Sequence, residues 1–381
     1  MKSNFRKITT SIIRLLLFML VFISCLVHGN DGDLDTSFGT NGSTITQFSS
    51  LLTPNIMMGV QSDGKIIVGS HQYNGTGISS FLRINQDGTQ DNAFEIITTF
   101  DNSWGGNGRT LKVLSDDKFI IAGGASVHRF ILKMFNADGA VNTGFGTVTT
   151  DLDGYENGSF SIELQNDDKI VLSGVINNSH AGGGTMKLCL ITYDIDGTVD
   201  SQTLDPTFDY FENLNVYDVK IQNDGKIVIA GRVIAYGGTG NGFLARYHNH
   251  ALDPTFSTDG YLIETGGGGW VDFNSVDIQN DGKIVVLSNN KIFRYNSDGT
   301  VDDTFSDNLE GESGRTILID SEQRIVTLSG YPSWSSNIQR FTTDGQIDAN
   351  FNGGQKLVIE NANLRFASTG TMIIQSDGKI V

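Results

Sequence analysis

The chain has 381 residues and a formal charge of −17, with 46 glycines, four prolines and two cysteines. That length supplies a sizeable buried core without disulfide or metal staples, and so acidic a surface repels nucleic acid and anionic membranes, so neither is expected as a partner. Phe, Ile, Val and Thr are plentiful, and beyond the first thirty residues no long stretch spaces its apolar residues as a helix would, which predicts an all-β chain.

Lys2, Arg6, Lys7 and Arg14 precede or interrupt an apolar run from Leu15 to Ile23. This is the order of a secretory signal, predicted over residues 1–29, and the run is shorter than the roughly 20 apolar residues of a spanning helix. Phe22-Ile23-Ser24-Cys25 reads as a loose lipoprotein box with Cys25 lipidated; ordinary cleavage after Val27-His28-Gly29 is the alternative. Export to the surface or the medium is expected either way, with no membrane insertion beyond a lipid on Cys25. Loss of the four cations would move the charge from −17 to −21, and Cys189 would be the one ordinary cysteine, so no disulfide framework is expected.

Residues 30–381 carry an internal repeat. Gln61-Ser62-Asp63-Gly64-Lys65-Ile66 returns as Gln222-Asn223-Asp224-Gly225-Lys226-Ile227, as Gln279-Asn280-Asp281-Gly282-Lys283-Ile284 and as Gln375-Ser376-Asp377-Gly378-Lys379-Ile380. Looser copies surround Lys118, Lys169 and Arg324, giving seven markers at steps of 53, 51, 57, 57, 41 and 55 residues. A second landmark, a strand, an Asp-Gly turn and then Asp-x-x-Phe, alternates with the first and ends at Phe38, Phe94, Phe145, Phe208, Phe256, Phe305 and Phe351.

Each unit offers short β-branched or aromatic segments, as in Tyr261 to Thr265, Ser275 to Gln279, Lys283 to Leu287 and Lys291 to Tyr295. The Asp-Gly turns read as structural, with Gly64, Gly225, Gly282 and Gly378 at positive φ beside Asp63, Asp224, Asp281 and Asp377. Asp117 and Asp168 stand in for that glycine, and Asp tolerates the left-handed region. The prediction is a β-propeller of about seven four-stranded blades. Because the sequence stops at Val381 inside a third strand, the ring is expected to be incomplete at its C-terminal end, one or two strands short of closure.

Gln-x-Asp-Gly-Lys-Ile followed by Arg-Tyr-Asn-x-Asp-Gly and Leu-Asp-x-x-Phe-Gly resembles the bacterial delta-60 repeat family of predicted β-propellers. The best matches are Arg246-Tyr247, Arg294 to Gly299 and Leu34 to Gly39, and the resemblance runs from about Asp31 to Val381. It implies a propeller and export, and it assigns no catalytic residue.

Among candidate sites, Asn85 to Asp91 and Asp194 to Asp200 partly resemble calcium loops, but too few ligands stand at the right spacing, and turn capping explains the same residues. His248 and His250 lack an acidic or Cys partner at ligand spacing, and Cys189 lies in an apolar strand, so no metal site, cofactor or reactive thiol is expected. Asp101, Asp153, Glu264 and Asp272 stand near loops that could converge on a central channel, where a carboxylate pair would make a hydrolase or lyase acting on polysaccharide. No recognised nucleophile or metal-protease signature accompanies them. Large aromatics beside glycine-rich loops, namely Trp104, Tyr155, Tyr236, Trp270 and Trp334, are the candidate ligand-binding residues.

The expected function is a non-catalytic scaffold binding a glycan or a protein. A polysaccharide-acting enzyme and a structural spacer in a larger surface protein are the alternatives. Strand direction predicts that the variable loops, with all five aromatics, share one end of the propeller while the Asp-Gly and Asp-x-x-Phe turns share the other.

Overall fold

The structure is a computed structural model that describes residues 31–46, 53–71, 78–99, 110–125, 129–152, 156–165, 168–177, 186–208, 211–235, 238–265, 270–307, 309, 313–330, 336–359 and 371–381. The signal segment 1–29, with Cys25, lies outside the described residues.

Six antiparallel sheets follow one another along the chain. The first holds β1 (Thr53–Val60), β2 (Ile66–His71), β3 (Ile78–Ile84) and β4 (Gln90–Thr99). The second holds β5 (Thr110–Val113), β6 (Phe119–Ala125), β7 (Arg129–Phe135) and β8 (Thr147–Asp151), and the third β9 (Glu156–Leu164), β10 (Ile170–Asn177), β11 (Met186–Tyr193) and β12 (Val199–Asp205). In the fourth, β13 (Asn213–Ile221), β14 (Ile227–Ile234) and β15 (Gly240–His248) are completed by β16 (Ala251–Leu252) and β17 (Tyr261–Glu264), both paired with β15. The fifth has β18 (Ser275–Ile278), β19 (Ile284–Leu287) and β20 (Ile292–Tyr295). The sixth has β21 (Gly314–Ile319), β22 (Ile325–Ser329), β23 (Ser336–Phe341) and β24 (Leu357–Ile359).

Period-two alternation explains why consecutive sheets stack. In β14, Ile227, Ile229 and Val233 face the third sheet, while Val228 and Ala230 face the fifth. With both faces covered, β14 reads as an unbroken apolar run and not as apolar-polar alternation. The core is accordingly split into clusters, each lying between neighbouring sheets. The first strands β1, β5, β9, β13, β18 and β21 touch in succession and so form the inner ring.

Two expectations need correction. The described residues form a six-bladed propeller and not about seven four-stranded blades. The last marker, Gln375 to Lys379, turns a hairpin bridged at Ile374–Ile380, which joins no further strand among the described residues. This hairpin and the 31–46 segment lie between the sixth sheet and the first: Arg340 bonds Asp31, Asn352 N–H donates to the Asp31 carbonyl at 2.7 Å, and Gln375 Nε2 donates to the Gly64 carbonyl at 3.2 Å. Second, Tyr261 to Thr265 is not the first strand of its unit. Residues Tyr261–Glu264 pair with Gly242–Ala245 of β15 and close the preceding sheet, because the turn after β16 returns them to it.

Candidate functional site

The two ends of the propeller differ in construction. At one end lie the turns β1–β2 and β3–β4 and their equivalents. Gly64, Gly225, Gly282 and Gly378 sit at φ 77°, 82°, 85° and 83°, and Asp117, Asp168 and Gln323 hold the same place at 65°, 60° and 66°. In each glycine turn the neighbouring Asp accepts the Lys backbone N–H two residues on, as Asp224 Oδ1 does from Lys226 at 3.2 Å.

Those non-glycine residues do more than tolerate a left-handed backbone. Asp117 accepts from Ser62 N–H at 2.5 Å and from Ser62 Oγ–H at 2.6 Å, joining the first and second sheets. Asp168 accepts from Ser115 Oγ–H at 2.8 Å, and Gln323 Oε1 from Asn280 N–H at 2.6 Å. Each side chain thus staples its turn to the preceding one.

Beneath the turns runs a repeated buried clasp. Arg246 and Asp253, both almost wholly buried, pair at 2.9 Å, and the guanidinium lies 4.8 Å from the Phe256 ring and donates to the Ser297 carbonyl of the next sheet. Arg294 with Asp302 and Phe305 repeats the arrangement, as do Arg83 with Asp91 and Phe94, and Arg340 with Asp348 and Phe351. Burial acts to raise the Asp302 carboxyl, but hydrogen bonds from Thr304 and the Arg294 guanidinium outweigh it and hold the group down at about 2.

The Asp-bearing loops spend their oxygens on their own turns. Asp87 Oδ1 accepts from Thr89 N–H and Oγ1–H at 2.9 and 2.6 Å, and Asp196 does the same with Thr198 at 2.9 and 2.7 Å. His250 Nδ1 lies 2.8 Å from Ser201 Oγ of the third sheet, while His248 ends β15 exposed. Cys189 is buried, which pushes its thiol up to about 12.

At the opposite end, the connector into β18 docks on glycines. Trp270 lies over Gly240, where a Cβ would come within 2.6 Å of its ring, and Phe273 covers Gly242 in the same way. Trp270 remains 54 % exposed, with the Arg232 guanidinium 5.4 Å from its ring and 6.0 Å from that of Tyr217. Arg232 also pairs with Asp272 at 3.4 Å. From Asp272 the polar contacts continue through Asn289 at 3.5 Å and Asn274 at 3.0 Å to the Gly314 carbonyl at 2.9 Å. The next residue, Arg315, donates to the Gly330 carbonyl at 3.3 Å, and burial lowers its pKa. A ribbon of polar groups therefore crosses the fourth, fifth and sixth sheets beside a half-exposed tryptophan.

Of the five candidate aromatics, only Trp270 falls within the described residues. Trp104, Tyr155, Tyr236 and Trp334 lie outside them, as do Asp101 and Asp153. The other two carboxylates are not presented as a free pair: Glu264 is on β17 at the outer edge and accepts from Tyr295 Oη–H at 3.3 Å, and Asp272 holds Arg232.

Sequence reasoning missed a charge ladder on the inner strands. Lys112 of β5 pairs with Glu163 of β9 at 2.8 Å, and Lys220 of β13 approaches the same carboxylate at 3.7 Å. Burial would raise Glu163, yet Lys112 and Lys220 together lower it; burial would lower Lys220, yet Asp277, Asp218 and Glu163 raise it. Asp218, bonded to Val276 N–H at 3.0 Å, is raised by burial. Lys112, Glu163, Lys220 and Asp277 each stand two residues before the first residue of a marker turn, an alternation visible once the repeats are aligned.

Comparison with known proteins bears on the fold. A family model described as a beta-propeller domain of unknown function (DUF5122) matches residues 61–94, 222–256 and 279–305. The chain is a β-propeller repeat protein. No curated protein matches this propeller in sequence. Among solved structures, a chain of a mitotic checkpoint complex is 11 % identical with a TM-score of 0.51, over 90 % of this propeller and 92 % of that chain. Chaetomium thermophilum Raptor is 12 % identical with a TM-score of 0.52, over 84 % of this propeller but 26 % of Raptor. An α-L-arabinofuranosidase from Fusarium graminearum is 11 % identical with a TM-score of 0.48, over 80 % and 90 % of the two chains. At such identities the likeness is one of fold.

Proposed function

We propose that the protein is an exported, non-catalytic propeller scaffold that binds a glycan or protein ligand at the end carrying the long connectors. The observation that carries this reading is Trp270: a large aromatic face, half exposed, packed on Gly240 with Arg232 beside it. A packed ring presents apolar area with little conformational entropy left to lose, which suits stacking against a sugar face or burial under a partner. The adjoining Asp272 and Asn289 supply polar groups to orient such a ligand. Export rests on the charge-then-apolar order of residues 1–29.

A glycan array probed with the wild type and with Trp270→Ala tests this. Binding by the wild type that falls about thirtyfold in the variant, with unchanged thermal stability, is the expected result for a central aromatic contact worth about 2 kcal/mol. Equal binding by both proteins would remove Trp270 from the site, and no binding by the wild type to any glycan would count against the glycan half of the reading.

A further inference from the structure

Where the fourth sheet meets the fifth, the turn residue that would staple the junction is Gly282, at φ 85°, and it has no side chain. A cleft of about 440 Å³ lies there, lined by Asn223, Asp224, Lys226, Arg246, Asp281 and Gly282 among others. The junction is otherwise built as its stapled counterpart. Gln222 Nε2 reaches the Gly282 carbonyl at 3.3 Å, as Gln61 Nε2 reaches the Asp117 carbonyl at 3.1 Å. Asn223 therefore occupies the place of Ser62, whose N–H and hydroxyl both donate to the Asp117 carboxylate. Asn223 N–H has no protein partner among the described residues.

We propose that this cleft is a binding site for the carboxylate of a small acid, received on the Asn223 N–H. The protein's own repeat shows that an acceptor oxygen fits, the Asp117 carboxylate at 2.5 Å from Ser62 N and the Gln323 amide oxygen at 2.6 Å from Asn280 N, and the Lys226 and Arg246 cations on the cleft favour the charged acceptor. The surrounding charges are matched as well. Asp224, Asp281, Lys226 and Arg246, which line the cleft or its turns, stand at the repeat positions that Asp63, Asp116, Lys65 and Arg83 hold at the first junction. An anion is tolerated beside the carboxylates of the lining because each is already engaged, Asp224 with Lys226 at 2.9 Å, Asp281 with Lys283 at 3.3 Å and Asp298 with the Thr300 N–H at 3.0 Å. The site lies at the opposite end from Trp270 and is independent of the function proposed above.

The test follows the backbone amide resonances of the full chain by NMR during titration with succinate, and with succinamide as the uncharged control. Succinate is expected to move the Asn223 amide saturably and succinamide to leave it in place. Gly282→Asp supplies the carboxylate internally in a turn position where Asp117 and Asp168 already fold. It should shift the Asn223 amide without ligand and weaken the succinate response about tenfold or more, the loss of one charge-assisted hydrogen bond. The reciprocal Asp117→Gly should open the first junction and bring a succinate response to Ser62. No saturable movement of Asn223, an equal response to succinamide, or an undiminished response in Gly282→Asp would each overturn the proposal.

Discussion

The second and fourth sheets solve one packing problem with different chemistry. In the fourth, the space beneath the turns holds Gln222, the buried Arg246–Asp253 pair and Phe256. In the second, the same positions are Leu114, Met134, Asn142 and Phe145, and the only polar member bonds Asn136 through its Nδ2 at 2.9 Å. The backbone is unchanged: Asn142 N–H donates to the Met134 carbonyl at 3.0 Å, as Asp253 N–H does to that of Arg246 at 2.8 Å. The ion pair is thus one of two ways to fill a fixed geometry. The fold does not require it, but once one buried charge is present the other must be too.

The comparison can be broken most sharply by making half of the exchange. Arg246→Met strips the buried Asp253 of its guanidinium and leaves Lys226, 3.8 Å away, as its cation, and denaturant unfolding is expected to show a loss of about 3–5 kcal/mol. Converting the whole set, Gln222→Leu with Arg246→Met and Asp253→Asn, should restore stability to within about 1 kcal/mol of the wild type. A triple variant as unstable as the single one would mean that the two sheets are not equivalent.

The turns differ in a milder way. The second sheet carries Asp117 where the fourth has Gly225, at φ 82° with no atom within 4 Å of a Cβ added there. Space is therefore available and only the backbone angle resists substitution. Gly225→Val should cost about 1–3 kcal/mol, while Gly225→Asp should cost measurably less because Asp adopts the left-handed region more readily. Equal midpoints for the two variants in thermal melts would contradict that account.

The smallest effect is invisible at neutral pH. Asp253 is held below its ordinary value, burial opposing the shift and the bonds from Thr255 and the charge of Arg246 outweighing it, and Asp302 lies at about 2. A carboxyl depressed in the folded state stabilises above its unfolded value near 4 and loses that contribution as pH falls towards 2. Hydrogen exchange across that window should therefore show amides of the fourth and fifth sheets losing protection before those of the second, where Asn142 does not titrate. Uniform loss would indicate that the clasps do not drive acid unfolding.

Much of this architecture was legible beforehand, because it is written in adjacent residues. Asn280-Asp281-Gly282 between two apolar runs specifies a tight turn by the φ that glycine permits, and Ile227 to Ala230 specifies a strand. The repeat of these units, more than any one of them, pointed to a propeller. What the sequence left open was the partner of each element. Tyr261–Glu264 joins β15 because the turn after β16 returns it there, and the number of sheets depends on which hairpins gain further strands. The staple from Asp117 to Ser62 spans 55 residues, and the Lys112–Glu163–Lys220 ladder forms only when three inner strands are brought side by side. A backbone angle or an alternating pattern is decided by neighbours in sequence, whereas a cross-sheet bond is decided by how whole sheets stack, and only the tertiary structure fixes that.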